Sequence, residues 1–259
     1  MEVVVRSDAG EAGRTAADIV QHALRRGVRT LGLATGSSPL LTYRELVRRH
    51  TDEELSFASV EVFLLDEYVA LPAFHPQAYA QVIRREFTQH VDLDPSKVRA
   101  PSSTATDPVA EARRYEEALA ASGPIGVQIL GIGRNGHIGF NEPGSSLASR
   151  TRPKTLTEAT RRDNARFFTS LQDVPRHVIT QGLATISEAS HLVLIATGPG
   201  KADAVAAAVE GPVSARCPAS VLQLHPHATV VLDESAAAKL QDLPYYRHVA
   251  RHKPASQGY

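Results

Sequence analysis

Along the chain, short uninterrupted apolar runs alternate with longer stretches in which apolar residues return every three or four positions. The runs are "VVV" near the start, Leu31 to Leu33, "VEVFLL" at 60–65, "GVQILGIG" ending at Gly133, "HLVLIATG" ending at Gly198, and "ATVVLD" ending at Asp233. Runs this brief and this continuous suit strands covered on both faces. Between them, residues 11–26 place Ala12, Ala16, Ile19, Val20, Ala23 and Leu24 on one helical face, and Arg25-Arg26-Gly27 supplies the cations and glycine that suit a helix C-terminus. Strands alternating with helices predict an α/β fold: a Rossmann-like open parallel sheet with helices on both faces. A length of 259 residues suits one such domain or two small ones. The stretch "PSSTATDP" at 101–108 is too short to separate domains and reads as a surface loop, so a single domain over 1–259 is expected. The segment from about 245, "YYRHVARHKPASQGY", has no clear partner pattern and is expected to be loosely held.

Charge narrows the partners. Lys and Arg number 28 against 28 Asp and Glu, so no global field draws the chain to nucleic acid or to an acidic membrane. An anionic partner must be met locally. The N-terminal stretch has no basic flank ahead of an apolar core, and no apolar run is long enough to span a bilayer, so a soluble, cytoplasmic protein is expected. Cys217 is the only cysteine, which excludes an internal disulfide and a cysteine-rich zinc site and fits a reducing compartment.

In open parallel sheets, ligands collect beyond the carboxyl ends of the strands, and four turns here are unusual at that level. In the first, Thr35-Gly36-Ser37-Ser38 follows a strand; Ser38 suits an N-cap and Pro39 the first helical position. Free backbone N–H groups, hydroxyls and a helix dipole there suit a phosphate. The turn lacks both the Walker lysine and the full dinucleotide glycine pattern. The second turn, "TGPGK", puts Lys201 in the first turn of a helix, where the dipole disfavours a cation. Either an anion compensates it or the side chain reaches into water. The third, "LLDEY", delivers Asp66, Glu67 and Tyr68, and strand alternation lets only one of the two carboxylates face a reacting atom. A carboxylate there can serve as a general base or cap the next helix. The fourth is "GIGRNGHIGFNEP". Gly131, Gly133, Gly136 and Gly139 let backbone approach a ligand, His137 has a pKa range suited to proton transfer, and Asn135 and Glu142 are near enough in sequence to orient it. A metal fits less well: of 11 histidines only His225 and His227 are close together, with no further ligand nearby.

Taken in order, "TGSSP", "LLDEY", "GIGRNGHIGFNEPGSSLASRTRPKT" and "TRRDNARFF" closely resemble the glucosamine-6-phosphate deaminases. The likeness runs from Leu31 to about Asp233. The related 6-phosphogluconolactonases share the phosphate loop and a glycine-histidine motif but generally lack the Phe-Asn-Glu-Pro continuation. Sugar-phosphate sensor domains of bacterial repressors also resemble the fold, with a DNA-binding segment for which this chain leaves no room ahead of its first strand. The resemblance implies a deaminase, a hydrolase/isomerase that isomerises an amino-sugar phosphate from aldose to ketose and releases ammonia, without cofactor or catalytic metal. It implies that Asp66 is the base at carbon and that His137 moves the proton in ring opening. Glu142 then polarises the imidazole, and Asn135 completes the set. Gly36, Ser37, Ser38, Arg166 and Lys201 hold the phosphate. Some family members carry Asp where this chain has Asn135 and others accept Asn; asparagine cannot supply a negative charge and is expected to orient His137 by hydrogen bonding. Some relatives are homo-oligomers activated by N-acetylglucosamine 6-phosphate through a segment matching Ser145, Arg152 and Lys154; others are monomers without activation.

Overall fold

The chain leaves its first strand and folds back over it as a helix within a few residues, and this unit recurs to the end. The computed structural model describes residues 1–254 and Gly258. The strands are β1 (Glu2–Arg6), β2 (Thr30–Leu33), β3 (Glu61–Leu64), β4 (Asp66–Tyr68), β5 (Val98–Arg99), β6 (Val127–Gly131), β7 (Arg152–Thr155), β8 (His177–Thr180), β9 (Leu192–Ala196) and β10 (Ala228–Asp233). The helices are α1 (Ala9–Arg25), α2 (Ser37–Glu53), α3 (Tyr79–Glu86), α4 (Pro108–Ser122), α5 (Glu158–Asn164), α6 (Leu183–Ser187), α7 (Ala202–Val209) and α8 (Leu243–His252).

Seven strands form one parallel sheet in the order β1-β10-β9-β6-β2-β3-β5. Alternate residues of its central strands enter two separate cores. Leu192 and Leu194 join α4 and α7 residues such as Tyr115 and Val205 on one face. Val193 and Ile195 join α1 and α2 residues such as Ile19 and Leu46 on the other. That is why these strands read as unbroken apolar runs: both faces of each are covered. The predicted face of α1 is the buried one, with Ala12, Ala16, Ile19, Val20 and Leu24 all in the core.

From β2 the chain builds outward through β3 to β5, then returns to the other side of β2 and builds outward through β6, β9 and β10. The loops after β2 and β6 therefore diverge, and a crevice opens between them at the carboxyl ends. A second, antiparallel sheet of order β4-β8-β7 lies beside this crevice, an addition to the single sheet expected. It begins where β3 stops. The Leu64 carbonyl accepts from the Tyr115 hydroxyl at 2.6 Å and Gln181 Nε2 at 3.2 Å, and the Leu65 carbonyl accepts from the Gln181 N–H at 2.8 Å. With those carbonyls satisfied, the strand turns into β4 and places Asp66 opposite Thr180 of β8.

Two expectations need correcting. Ser38 is not the N-cap of α2: the helix begins at Ser37, Gly36 is the cap, and Pro39 is third. Gly36 has φ 101° and ψ 176°, a region essentially reserved for glycine, so the chain enters the helix earlier than a serine cap allows. The segment after Pro244 is also more ordered than its pattern suggested. Residues 245–252 continue α8, which packs beside β1, and Lys253 Nζ reaches Glu2 at 2.7 Å. Residues 255–257 and 259 of that segment lie outside the described residues.

Candidate active site

The crevice is a cavity of about 760 Å³. Its walls include Gly36, Ser37, Ser38, Asp66, Asn135, His137, Arg166 and Lys201, so one space gathers residues separated by as much as two thirds of the chain. Glu142 is not on the wall; it stands behind His137.

Asp66 and Glu67 divide as strand alternation requires. Asp66 faces the cavity, 6% exposed, and no donor among the described residues reaches its carboxylate. Burial, with the neighbouring Glu67 charge, pushes its carboxyl well above the usual aspartate range. Glu67 turns away and accepts N–H groups of Tyr68 at 2.8 Å, Tyr79 at 2.9 Å and Ala80 at 3.0 Å. Those last two open α3, so Glu67 does the helix capping that the sequence left as an option for this pair.

The glycine-rich loop carries His137 on bare backbone. A Cβ at Gly133 would lie 2.4 Å from His137 Cε1, so the imidazole rests where a side chain would otherwise be. Its Nδ1 is buried, has no hydrogen-bond partner among the described residues, and lies 3.5 Å from Glu142 Oε2. Asn135 hydrogen-bonds to His137 through the backbone and not through the ring. Its Oδ1 accepts the His137 backbone N–H at 3.2 Å, while its Nδ2 donates to Glu142 Oε2 at 2.6 Å. Asn135 thus fixes the loop and the carboxylate, and the imidazole is oriented through Glu142. Burial acts to raise the Glu142 pKa, but His137, Thr160 and Asn135 overcome it and hold the carboxyl near about 2. Thr160 donates a short hydrogen bond to Glu142 Oε1, and Thr157 approaches the same oxygen at 3.3 Å.

The anion end is built by two helix starts. The Tyr43 hydroxyl donates to the Ala34 carbonyl at 2.7 Å and accepts its N–H at 3.1 Å, which fixes the end of β2. Gly36 then turns the chain so that the N–H groups of Ser37 and Ser38 open α2 into the cavity. Gly198, with φ 86° and ψ 155°, does the same ahead of Lys201. Lys201 Nζ donates to the Ile132 carbonyl at 2.6 Å. Burial, then the nearby Arg134 and Arg166 cations, lower its pKa, with Asp163 opposing. Arg166 lies 4.7 Å above the Phe167 ring, and among the described residues neither it nor Arg134 forms an ion pair. Arg134, Thr157 and Thr160 were not singled out from sequence. Arg134 stood inside the glycine loop, but its direction needs the fold; the threonines carry no signal beyond the one that Thr157 caps α5.

Ser145, Arg152 and Lys154 line no part of the cavity. Arg152 and Lys154 share one side of β7, Arg152 Nη1 donates to Asn141 Oδ1 at 2.9 Å, and the buried Ser145 hydroxyl has no partner among the described residues. His225 bonds to the carbonyls of His227 and Ala189, both at 2.8 Å, and His227 stacks on His191. Among the described residues no group of three or more His, Cys, Asp or Glu side chains is placed to hold a metal, and no helix is long and apolar enough to cross a membrane.

A family model for glucosamine-6-phosphate isomerases/6-phosphogluconolactonase matches residues 7–231. The chain is 61% identical, over the full length of both, to the glucosamine-6-phosphate deaminase of Rhodococcus opacus (strain B4). A solved monomeric glucosamine-6-phosphate deaminase superposes with a TM-score of 0.91 at 42% identity, covering 92% of this chain and 100% of that one. The 6-phosphogluconolactonase from Trypanosoma cruzi shares the fold, with a TM-score of 0.70 at 18% identity over 93% of this chain and 97% of its own. The chain belongs to the glucosamine-6-phosphate isomerase/6-phosphogluconolactonase family.

Proposed function

We propose that this protein converts glucosamine 6-phosphate and water to fructose 6-phosphate and ammonia. The observation that carries the reading is the buried Asp66 carboxyl, to which no described residue donates, facing the same cavity as a carboxylate-backed His137 and the cations of Arg134, Arg166 and Lys201. Lys201, Arg166 and the start of α2 would grip the 6-phosphate, with Arg134 alongside. His137 would move the proton that opens the sugar ring, and Glu142 would steady the imidazolium when it forms. Asp66 would then take the C2 proton of the open-chain aldehyde and return it to C1. Its desolvated carboxylate is a stronger base than one in water, as a carbon acid requires. The resulting C2 imine adds water and releases ammonia. Because the central step is an aldose–ketose isomerisation, deaminase/isomerase describes the chemistry better than hydrolase.

The test is ammonia release from glucosamine 6-phosphate by purified protein, beside Asp66→Asn and with galactosamine 6-phosphate as the epimeric comparator. Release that disappears in Asp66→Asn supports both reaction and base. An inactive wild type that hydrolyses 6-phosphogluconolactone overturns the reading in favour of lactonase chemistry; one that only binds sugar phosphates overturns it in favour of a sensor. The assembly and the Ser145, Arg152 and Lys154 segment belong to the same proposal. A homo-oligomer in light scattering, with a sigmoidal substrate curve that N-acetylglucosamine 6-phosphate makes hyperbolic, supports a second phosphate site there. A hyperbolic curve unmoved by that ligand removes it.

A further inference from the structure

We infer that Thr160 is a positioning residue that fixes Glu142 behind His137, and that α5 thereby joins the phosphate grip to the proton-transfer pair. The inference rests on the roles proposed above for His137, Glu142 and Arg166.

The two oxygens of Glu142 serve different elements. Oε2 faces the glycine-rich loop, with Asn135 Nδ2 at 2.6 Å and His137 Nδ1 at 3.5 Å. Oε1 faces α5, where it accepts from the Thr160 hydroxyl. That hydroxyl in turn accepts from Thr157 Oγ1 at 3.0 Å, and Thr157 Oγ1 accepts the Thr160 N–H at 3.2 Å as the helix cap. Thr160 donates to the carboxylate, while the single Thr157 hydroxyl proton is within reach of both Thr160 Oγ1 and, at 3.3 Å, Glu142 Oε1. A carboxylate held at both oxygens has little freedom to rotate, and the shorter contact on Oε1, from Thr160, sets where Oε2 stands relative to the imidazole.

The other end of α5 meets the rest of the site. Asn164 Nδ2 donates to the Tyr68 hydroxyl at 2.9 Å, and Tyr68 lies two residues beyond Asp66 in β4. The chain then passes straight into the turn Ala165–Phe167, which presents Arg166 to the cavity. One short helix and the turn that continues it therefore touch Glu142 at one end and carry Arg166 at the other, about 9 Å away at the rise of a helix. Charged neighbours do not obscure this contact. His137 faces Glu142 from its own loop, while on α5 Arg161 pairs with Glu158 at 2.9 Å and donates to the carbonyls of Leu171 and Val174.

Thr160→Val keeps the shape and removes the donor, Thr160→Ser keeps the donor, and Thr160→Ala covers the case in which valine disturbs packing. Each is compared with wild type in the pH dependence of kcat and in the NMR signals of the His137 ring, with and without inorganic phosphate. The expected result for Thr160→Val is a kcat lower by about tenfold with KM changed less than about twofold, and an acid limb moved to higher pH as Glu142 loses a donor. Thr160→Ser restores both. Added phosphate shifts the His137 signals in wild type and in Thr160→Ser, and this response is lost in Thr160→Val and Thr160→Ala. An unchanged pH profile in the valine and alanine variants, or a phosphate response that survives in them, overturns the inference. A wild type that releases no ammonia overturns the proposed reaction instead, and the NMR comparison still reads the coupling.

Discussion

Because it is buried and has Glu67 beside it, Asp66 holds its proton more tightly folded than unfolded. The folded pKa lies above the unfolded value, so the protonated form contributes stability at low pH, and that contribution is lost as pH rises through the folded value. Asp66→Asn is therefore expected to abolish most activity, by about 10²–10⁴-fold, while raising Tm at pH 8 and changing it little at acid pH. Thermal melts at the two pH values check this, and a lower Tm at pH 8 contradicts it. Glu142 has the opposite sign. Burial opposes ionisation, but His137, Thr160 and Asn135 hold its pKa near about 2, so its stabilisation is full above its ordinary value of 4.5 and is lost as pH falls toward about 2. Glu142→Gln should flatten acid denaturation in that window and slow ring opening. Asn135→Asp should instead place a second carboxylate 2.6 Å from Glu142 Oε2, where the pair shares a proton. Its kcat is expected to fall less at neutral pH than that of Glu142→Gln, with an acid limb moved upward; equal losses in both variants contradict this.

Among the elements, the helix starts show how backbone conformation becomes an anion site. At Gly36 an added Cβ would meet nothing within 4 Å, so the obstacle to any other residue is its φ of 101° and not crowding. Gly36→Ala is expected to cost about 1–3 kcal/mol and to misdirect the first N–H groups of α2. Its signature is a KM for glucosamine 6-phosphate raised about tenfold or more, with inorganic phosphate weakened as a competitor in parallel. A rise in KM without that parallel loss would place the damage elsewhere. Strand β4 makes the complementary point. Its three residues were visible as "DEY", and alternation required one carboxylate to turn away. Which one turned was decided by pairing with β8, whose residues come more than a hundred positions later.

For the whole molecule, the governing fact is the point at which the strand order reverses between β2 and β6. It opens the crevice, and the loops after β2, β6 and β9, strand β4 and helix α5 meet there. Among the described residues β1, at the sheet's edge, pairs with one neighbour, β10, and α8 lies beside it with Leu243 and Tyr246 against the core. Removing residues 243–259 should uncover that edge strand and its apolar surface. We expect loss of a sharp melting transition and concentration-dependent aggregation in light scattering. A truncated chain that melts as sharply as the full one would show that α8 is dispensable.

The sequence alone determined the α/β class, the helical face of α1, the four loops at the strand ends and the residue types in them. Those features are local: periodicity, glycine and proline placement, and motifs written in consecutive positions. Tertiary structure decided what depends on distance through space. It put Glu142 behind His137 and off the cavity wall, and turned Asn135 toward that carboxylate. It aimed Arg134 at the anion end and brought Thr160, 18 residues downstream, onto Glu142. It also ordered most of the segment after Pro244, whose amphipathic face has meaning only once β1 is there to receive it. Hydrogen bonds and charges act over a few ångströms, and which groups come that close is settled by the path of the whole chain.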